Sequence, residues 1–160
     1  MSLFDAALEN LICRHGRQPR TPYRNQHSER QMKKKIQFGL PDSKVPSDWA
    51  IEADGILYTV QWACLPDGTC AKGGIAEQTK VTLDNLKRAL EAAGGSIDDV
   101  VQIQVYLTDA SNFKAMNEVY AGYFKSPYPN RASLVAGNLI PGGLIEIVAQ
   151  AHIGISSPID

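Results

Sequence analysis

The chain has 160 residues, 44% of them apolar and 21% charged, with a formal net charge of −1. A chain of this length buries roughly 70% of the surface it exposes when unfolded, so neither metal nor disulfides are required for a core. The composition excludes collagen, wholesale disorder and a disulfide scaffold, and no run approaches the roughly 18 apolar residues of a membrane helix.

Asp5 and Glu9 interrupt the only apolar stretch at the start, which argues against a secretory signal. A cytoplasmic, reducing compartment is therefore expected. Cys13, Cys64 and Cys70 are then expected to be free thiols, although Cys64 and Cys70 flank a turn and could lie close together. Residues 1–35 hold eight basic and three acidic side chains, a balance of +5, leaving eight basic and fourteen acidic beyond, or −6. A basic arm raises the question of nucleic acid. Its charges are scattered and its aromatics few, and the acidic remainder would repel a phosphate backbone, so a solvated extension is the preferred reading.

Phe4, Leu8, Leu11 and Ile12 recur at helical spacing, which predicts a short helix. A polar linker with Pro19 and Pro22 follows, so residues 1–33 read as an extension and 34–160 as the regular domain. Lys35 to Phe38 is a candidate short strand. Asp48–Ala53 and Ile56–Ala63, joined by Asp54-Gly55, read as a hairpin, because Asp-Gly supplies the positive φ angles of a tight turn. Pro66-Asp67-Gly68 is a second turn. Ile75, Thr79, Thr82, Leu83, Leu86 and Leu90 form a helical stripe that Gly94-Gly95 should end.

Val101, Ile103, Val105 and Leu107 alternate with Gln102, Gln104 and Tyr106 as in a strand. Asp109 or Ser111 can cap a second helix with Phe113, Met116, Tyr120 and Phe124 inward, stopped by Pro127 and Pro129. Arg131–Ala136 and Leu144–Ile153 complete a β-β-α-β-α-β-β order. The expected fold class is α+β: one mixed sheet with both helices on one face. Val60, Trp62 and Val148 would lie on the other face, an apolar patch that self-association would cover.

The chain has no Gly-rich phosphate loop, no nucleophile elbow and no His pair at metal spacing, so no metal or cofactor is expected. The informative pair is Arg131 and Glu146. A carboxylate inside the apolar run Leu144 to Val148 is costly unless paired or hydrogen-bonded. If the last two strands are antiparallel neighbours, both residues lie at one edge of a cleft. A structural ion pair, or an edge charge facing solvent, is the plain alternative.

Several motifs act in combination: Gln78-Thr79, Leu83-Asp84-Asn85-Leu86, Ala93-Gly94-Gly95, Val105-Tyr106-Leu107, Asn117-Glu118-Val119-Tyr120, Pro129-Asn130-Arg131-Ala132-Ser133 and Ile145-Glu146-Ile147. Over residues 36–155 the chain resembles the YjgF/Rid family, the imine deaminases also labelled L-PSP endoribonucleases. The resemblance implies a chorismate-mutase-like fold, a homotrimer with clefts between subunits, and hydrolysis of small carboxylated imines or enamines to 2-keto acids and ammonia without a cofactor. It assigns Arg131 to the substrate carboxylate, Glu146 to water, and Asn117 to the cleft. Ser47 stands where the family often has a cleft tyrosine, Val60-Gln61-Trp62 where it has S-G-Q, and Ser133 where it has cysteine. Ser47, Gln61 and Ser133 are thus expected cleft residues. Ribonuclease activity and non-catalytic binding of a small carboxylate are the rival readings.

Overall fold

The computed structural model describes residues 33–139 and 142–154. The expected N-terminal helix and linker lie outside the described residues. Six strands form one sheet: β1 (Lys34–Lys35), β2 (Ala50–Ala53), β3 (Ile56–Trp62), β4 (Val100–Leu107), β5 (Asn130–Val135) and β6 (Ile145–His152). Two helices, α1 (Ile75–Ala92) and α2 (Phe113–Tyr120), interrupt the strand sequence. The spatial order is β1-β2-β3-β6-β4-β5. Only β4 and β5 run parallel, as expected of two strands joined through a helix. The fold is the expected α+β arrangement, and the candidate strand Lys35–Phe38 is reduced to the two-residue β1, Lys34–Lys35.

Local chemistry accounts for the elements. Asp54 and Gly55 take φ of 52° and 76°, the paired left-handed conformation that a two-residue hairpin needs. Helix α1 ends where Gly94 adopts φ 86°. The amides of Gly94 and Gly95 bond back to the Glu91 and Leu90 carbonyls, which closes the helix end with a left-handed glycine. Leu83, Leu86, Ala89 and Leu90 face the sheet and are buried against Leu57, Ile103, Val105 and Ile147. Truncating one of these leucines to alanine would cost about 2–5 kcal/mol.

Three expectations about faces need correction. Val101 is 45% exposed, although it continues the apolar alternation of Ile103, Val105 and Leu107. The register between β4 and β6 slips between Val100 and Gln102, so Val101 is the extra residue of a bulge and leaves the core face. Phe113 is 43% exposed rather than inward. It opens α2, and Met116, Tyr120 and Phe124 alone carry the buried stripe. Trp62 is buried, with its ring centroid 6.4 Å from that of Trp49. Trp62 keeps its expected place on the helix-free face with half-buried Val60 and Val148, but its burial leaves that face with less exposed apolar surface than expected.

Two buried amides on α1 tie the layers together. Asn85 Nδ2 donates to the carbonyls of Trp62 (3.0 Å) and Cys64 (2.9 Å), beyond the end of β3 pairing. Gln78 donates to the Ala71 carbonyl and accepts from the Leu144 amide at 2.7 Å. The same helix side chain thus fixes the chain just before β6. Buried backbone groups at strand ends need such partners.

Candidate active site

Residues directly opposite one another across a ladder share a face. Arg131 is in register with Ile103, and Ile103 with Ala149. Ile103 and Ala149 are buried core residues, so Arg131 lies on the helix-bearing face. Ser133, opposite buried Val105, lies on the same face two residues on. Glu146 is opposite Trp62 on one side and Tyr106 on the other. It therefore lies on the helix-free face, half-buried. The expected direct pairing of β5 with β6 does not occur, because β4 lies between them. Within one chain the two backbones are about 10 Å apart along the strands and about 10 Å across them.

On the helix side, α2 builds a seat for Arg131. Phe113, Asn117 and Tyr120 are spaced four and three apart, so they share a face of the helix. The Arg131 guanidinium carbon lies 4.5 Å from the Tyr120 ring centroid and 5.8 Å from that of Phe113. Burial raises the Tyr120 phenol, and the adjacent guanidinium, which also hydrogen-bonds it, works against that rise. Stacking over aromatic faces holds the guanidinium while the single bond to the phenol leaves its other donors available. Among the described residues no carboxylate forms an ion pair with Arg131. Beside it, Leu107, Ala110, Phe113, Ser133, Leu134 and Val135 line a depression of about 230 Å³.

On the other face, burial raises the Glu146 carboxyl above its ordinary value. No charged neighbour contributes to that rise, in contrast to Asp42, which Lys35 lowers through a 2.7 Å bond. A carboxylate in such a place accepts a proton more readily than a free one.

The other expected cleft residues separate. Asn117 joins the Arg131 group. Ser47 is exposed in the loop before β2, beside Ser43 (Oγ to Oγ 3.1 Å), at the opposite end of the sheet from β5. Gln61 is 0% exposed on the core face. Its amide donates to Thr59 Oγ1 at 2.7 Å, while its carbonyl oxygen has no partner. It cannot line a cleft in this arrangement. Sequence reasoning missed Tyr120 and Phe113 as the seat of the arginine; their spacing from Asn117 was the available signal. Among the described residues no cluster of three or more His, Cys, Asp or Glu side chains could hold a metal ion, and no helix is long and apolar enough to cross a membrane.

An α+β sheet of this order, with an arginine seated on aromatic rings and a half-buried strand glutamate, defines a class that the comparisons then specify. The family model described as endoribonuclease L-PSP matches residues 43–153. The chain belongs to this family, the YjgF/Rid/RutC group. It is 46% identical over 109 residues to the RutC family protein PH0854 of Pyrococcus horikoshii, covering 67% of this chain and 86% of the relative. It is 37% identical over 105 residues to protein mmf2, mitochondrial, of Schizosaccharomyces pombe (64% and 83%). Among solved structures, the Rid family protein YyfA of Yersinia pestis matches with TM-score 0.72 and 32% identity, covering 76% of this chain and all of that one. E. coli TdcF with bound serine matches with TM-score 0.69 and 27% identity (74% and 98%).

Proposed function

We propose that the protein hydrolyses small 2-imino acids or their enamine tautomers to 2-keto acids and ammonia, at sites formed between copies of the chain. The observation that carries this reading is the Arg131 guanidinium, braced on Tyr120 and Phe113 and without a carboxylate partner among the described residues. A fixed fork with donors to spare beyond its bond to Tyr120 fits a carboxylate through two parallel hydrogen bonds. The serine bound in TdcF, a small amino acid, supports that ligand class.

Arg131 and Glu146 lie on opposite faces of the sheet, so their convergence requires a second copy. A head-to-tail contact puts the helix side of one β5 edge against the helix-free face of the next copy, and such contacts close into rings. A homotrimer is the ring we propose. Each seam then joins Arg131, Ser133 and Asn117 of one copy to Glu146 of its neighbour.

The chemistry follows from that juxtaposition. Arg131 holds the substrate carboxylate, which fixes the adjacent C=N carbon. Glu146 takes a proton from water as the water oxygen bonds to that carbon and the C=N electron pair moves to nitrogen. The carboxylic acid returns the proton to nitrogen, giving a carbinolamine; Glu146 then takes the hydroxyl proton and passes it to the same nitrogen, so that the C–N bond breaks as C=O forms and ammonia leaves. Imino acid and water give keto acid and ammonia, with no cofactor in the balance.

The test is ammonia release from 2-imino acids generated in place by an amino-acid oxidase. Arg131→Ala should abolish turnover with the oligomer intact by native mass. Arg131→Lys should lose about 10- to 150-fold in kcat/KM, the worth of about 1.5–3 kcal/mol for a lost charged hydrogen bond. Unchanged turnover in Arg131→Ala would exclude the mechanism. Cleavage of RNA without imine turnover would support the family's endoribonuclease label instead. The cytoplasmic placement belongs to this proposal; the mitochondrial relative shows that the family also serves elsewhere.

A further inference from the structure

We infer that Cys64 and Cys70 form a cross-strand dithiol, a modification site that a peroxide closes to an intramolecular disulfide. Both cysteines are free thiols, Cys64 buried and Cys70 half-exposed. They oppose each other in an isolated antiparallel bridge at the neck of the Pro66-Asp67-Gly68 turn. The flanking bonds run from the Leu65 amide to the Thr69 carbonyl (2.8 Å) and from the Ala71 amide to the Ala63 carbonyl (2.7 Å). The cysteines themselves exchange no backbone bond, so they are a non-hydrogen-bonded pair. That is the closer of the two antiparallel pairings, with Cα atoms about 4.5 Å apart and side chains on the same side. The separation lies within the roughly 4.4–6.8 Å that disulfides span.

The surroundings hold this geometry. Asp67 accepts from the amide (2.9 Å) and hydroxyl (2.6 Å) of Thr69, which fixes the turn. Asn85 clamps the Cys64 carbonyl from α1. Burial raises both thiols, and for Cys64 the Asp67 charge and the Cys70 sulfur add to the rise. Raised thiols react slowly, and the more exposed Cys70 is the one an oxidant meets first.

With hydrogen peroxide the step balances. The Cys70 sulfur bonds to one peroxide oxygen, the O–O bond breaks, and one water leaves with the thiol proton. The Cys64 sulfur then attacks the resulting sulfenic sulfur. The S–S bond forms, the S–O bond breaks, and a second water carries away the Cys64 proton. Two thiols are oxidised by two electrons and one peroxide is reduced to two waters.

The test uses the full chain carrying Cys13→Ser, treated with hydrogen peroxide at stoichiometric ratio. The expected product is monomeric by non-reducing electrophoresis and lighter by about 2 Da, both thiols being lost together to a thiol reagent and restored by dithiothreitol. Trypsin should leave the bond inside the single fragment spanning residues 45–72, which holds both cysteines and no internal Lys or Arg. Pretreatment with phenylarsine oxide, a dithiol reagent, should block the loss. The melting temperature of the oxidised form should rise by several degrees, because the link restrains the unfolded chain. Cys70→Ser, a change at a half-exposed position with folding checked by circular dichroism, should abolish the 2 Da loss. Oxygen adducts on Cys70 with the Cys64 thiol intact, or disulfides formed only between chains, would overturn the inference. None of these readouts depends on imine turnover.

Discussion

Arg131 and Glu146 occupy opposite faces of one sheet, the first in register with Ile103 and Ala149 and the second with Tyr106 and Trp62. A single strand, β4, separates the strands that carry them. Neither residue can complete the other within a chain, and both lack an opposite charge among the described residues.

That geometry makes subunit complementation the decisive experiment. Arg131→Ala and Glu146→Gln should each be inactive alone. After co-refolding in equal amounts, a seam is intact where the Arg131 of one variant meets the Glu146 of the other. Random mixing makes about one quarter of head-to-tail seams intact, so ammonia release should recover to about 25% of wild type. If each site were contained in one chain, the mixture would remain inactive.

Glu146 links the site to pH in two measurable ways. Its folded value is raised by burial, so its contribution to stability is complete below the unfolded value and is lost as pH rises through the folded value. Glu146→Gln carries no charge to desolvate. Its melting temperature should match or exceed that of wild type at neutral pH, and the difference should shrink as pH falls through the carboxylate range. The kcat/KM of wild type should rise with pH through a midpoint above that of a free glutamate. A melting difference that grows as pH falls would contradict the assigned burial.

Gln61 provides a control. Its unpartnered buried oxygen is a cost, and Thr59 Oγ1 keeps its own bond to the Trp49 carbonyl (2.8 Å) when the amide is removed. Gln61→Met should therefore leave stability unchanged or raise it by about 1 kcal/mol in urea unfolding, because no new donor is orphaned. Imine turnover should be unaffected. A large loss of activity with intact stability would restore Gln61 to the cleft.

Elements dictated by local chemistry were legible in the sequence. Asp54-Gly55 demanded its hairpin, the stripe from Ile75 to Leu90 demanded α1, and Gly94 its end. What escaped was set by pairing at a distance. The parallel alignment of β5 on β4 is not encoded in either strand's periodicity, so whether the strands of Arg131 and Glu146 were neighbours stayed open. The bulge at Val101 interrupts an alternation that continues unbroken in the residues themselves. Phe113 has the spacing of a core residue, but it stands where α2 begins and meets Arg131 instead. Of the expected site, Arg131, Ser133 and Asn117 gather on one side, whereas Ser47 falls in the loop before β2 and Gln61 on the buried face of β3.

Strand β5 closes the sheet order and is exposed along most of its length, with Leu134 and Val135 46% and 57% open. A bare rim of this kind adheres to other chains when it lacks its proper neighbour. In the proposed ring this rim is covered, so dissociation would unmask the adhesive edge and dismantle the site in one event.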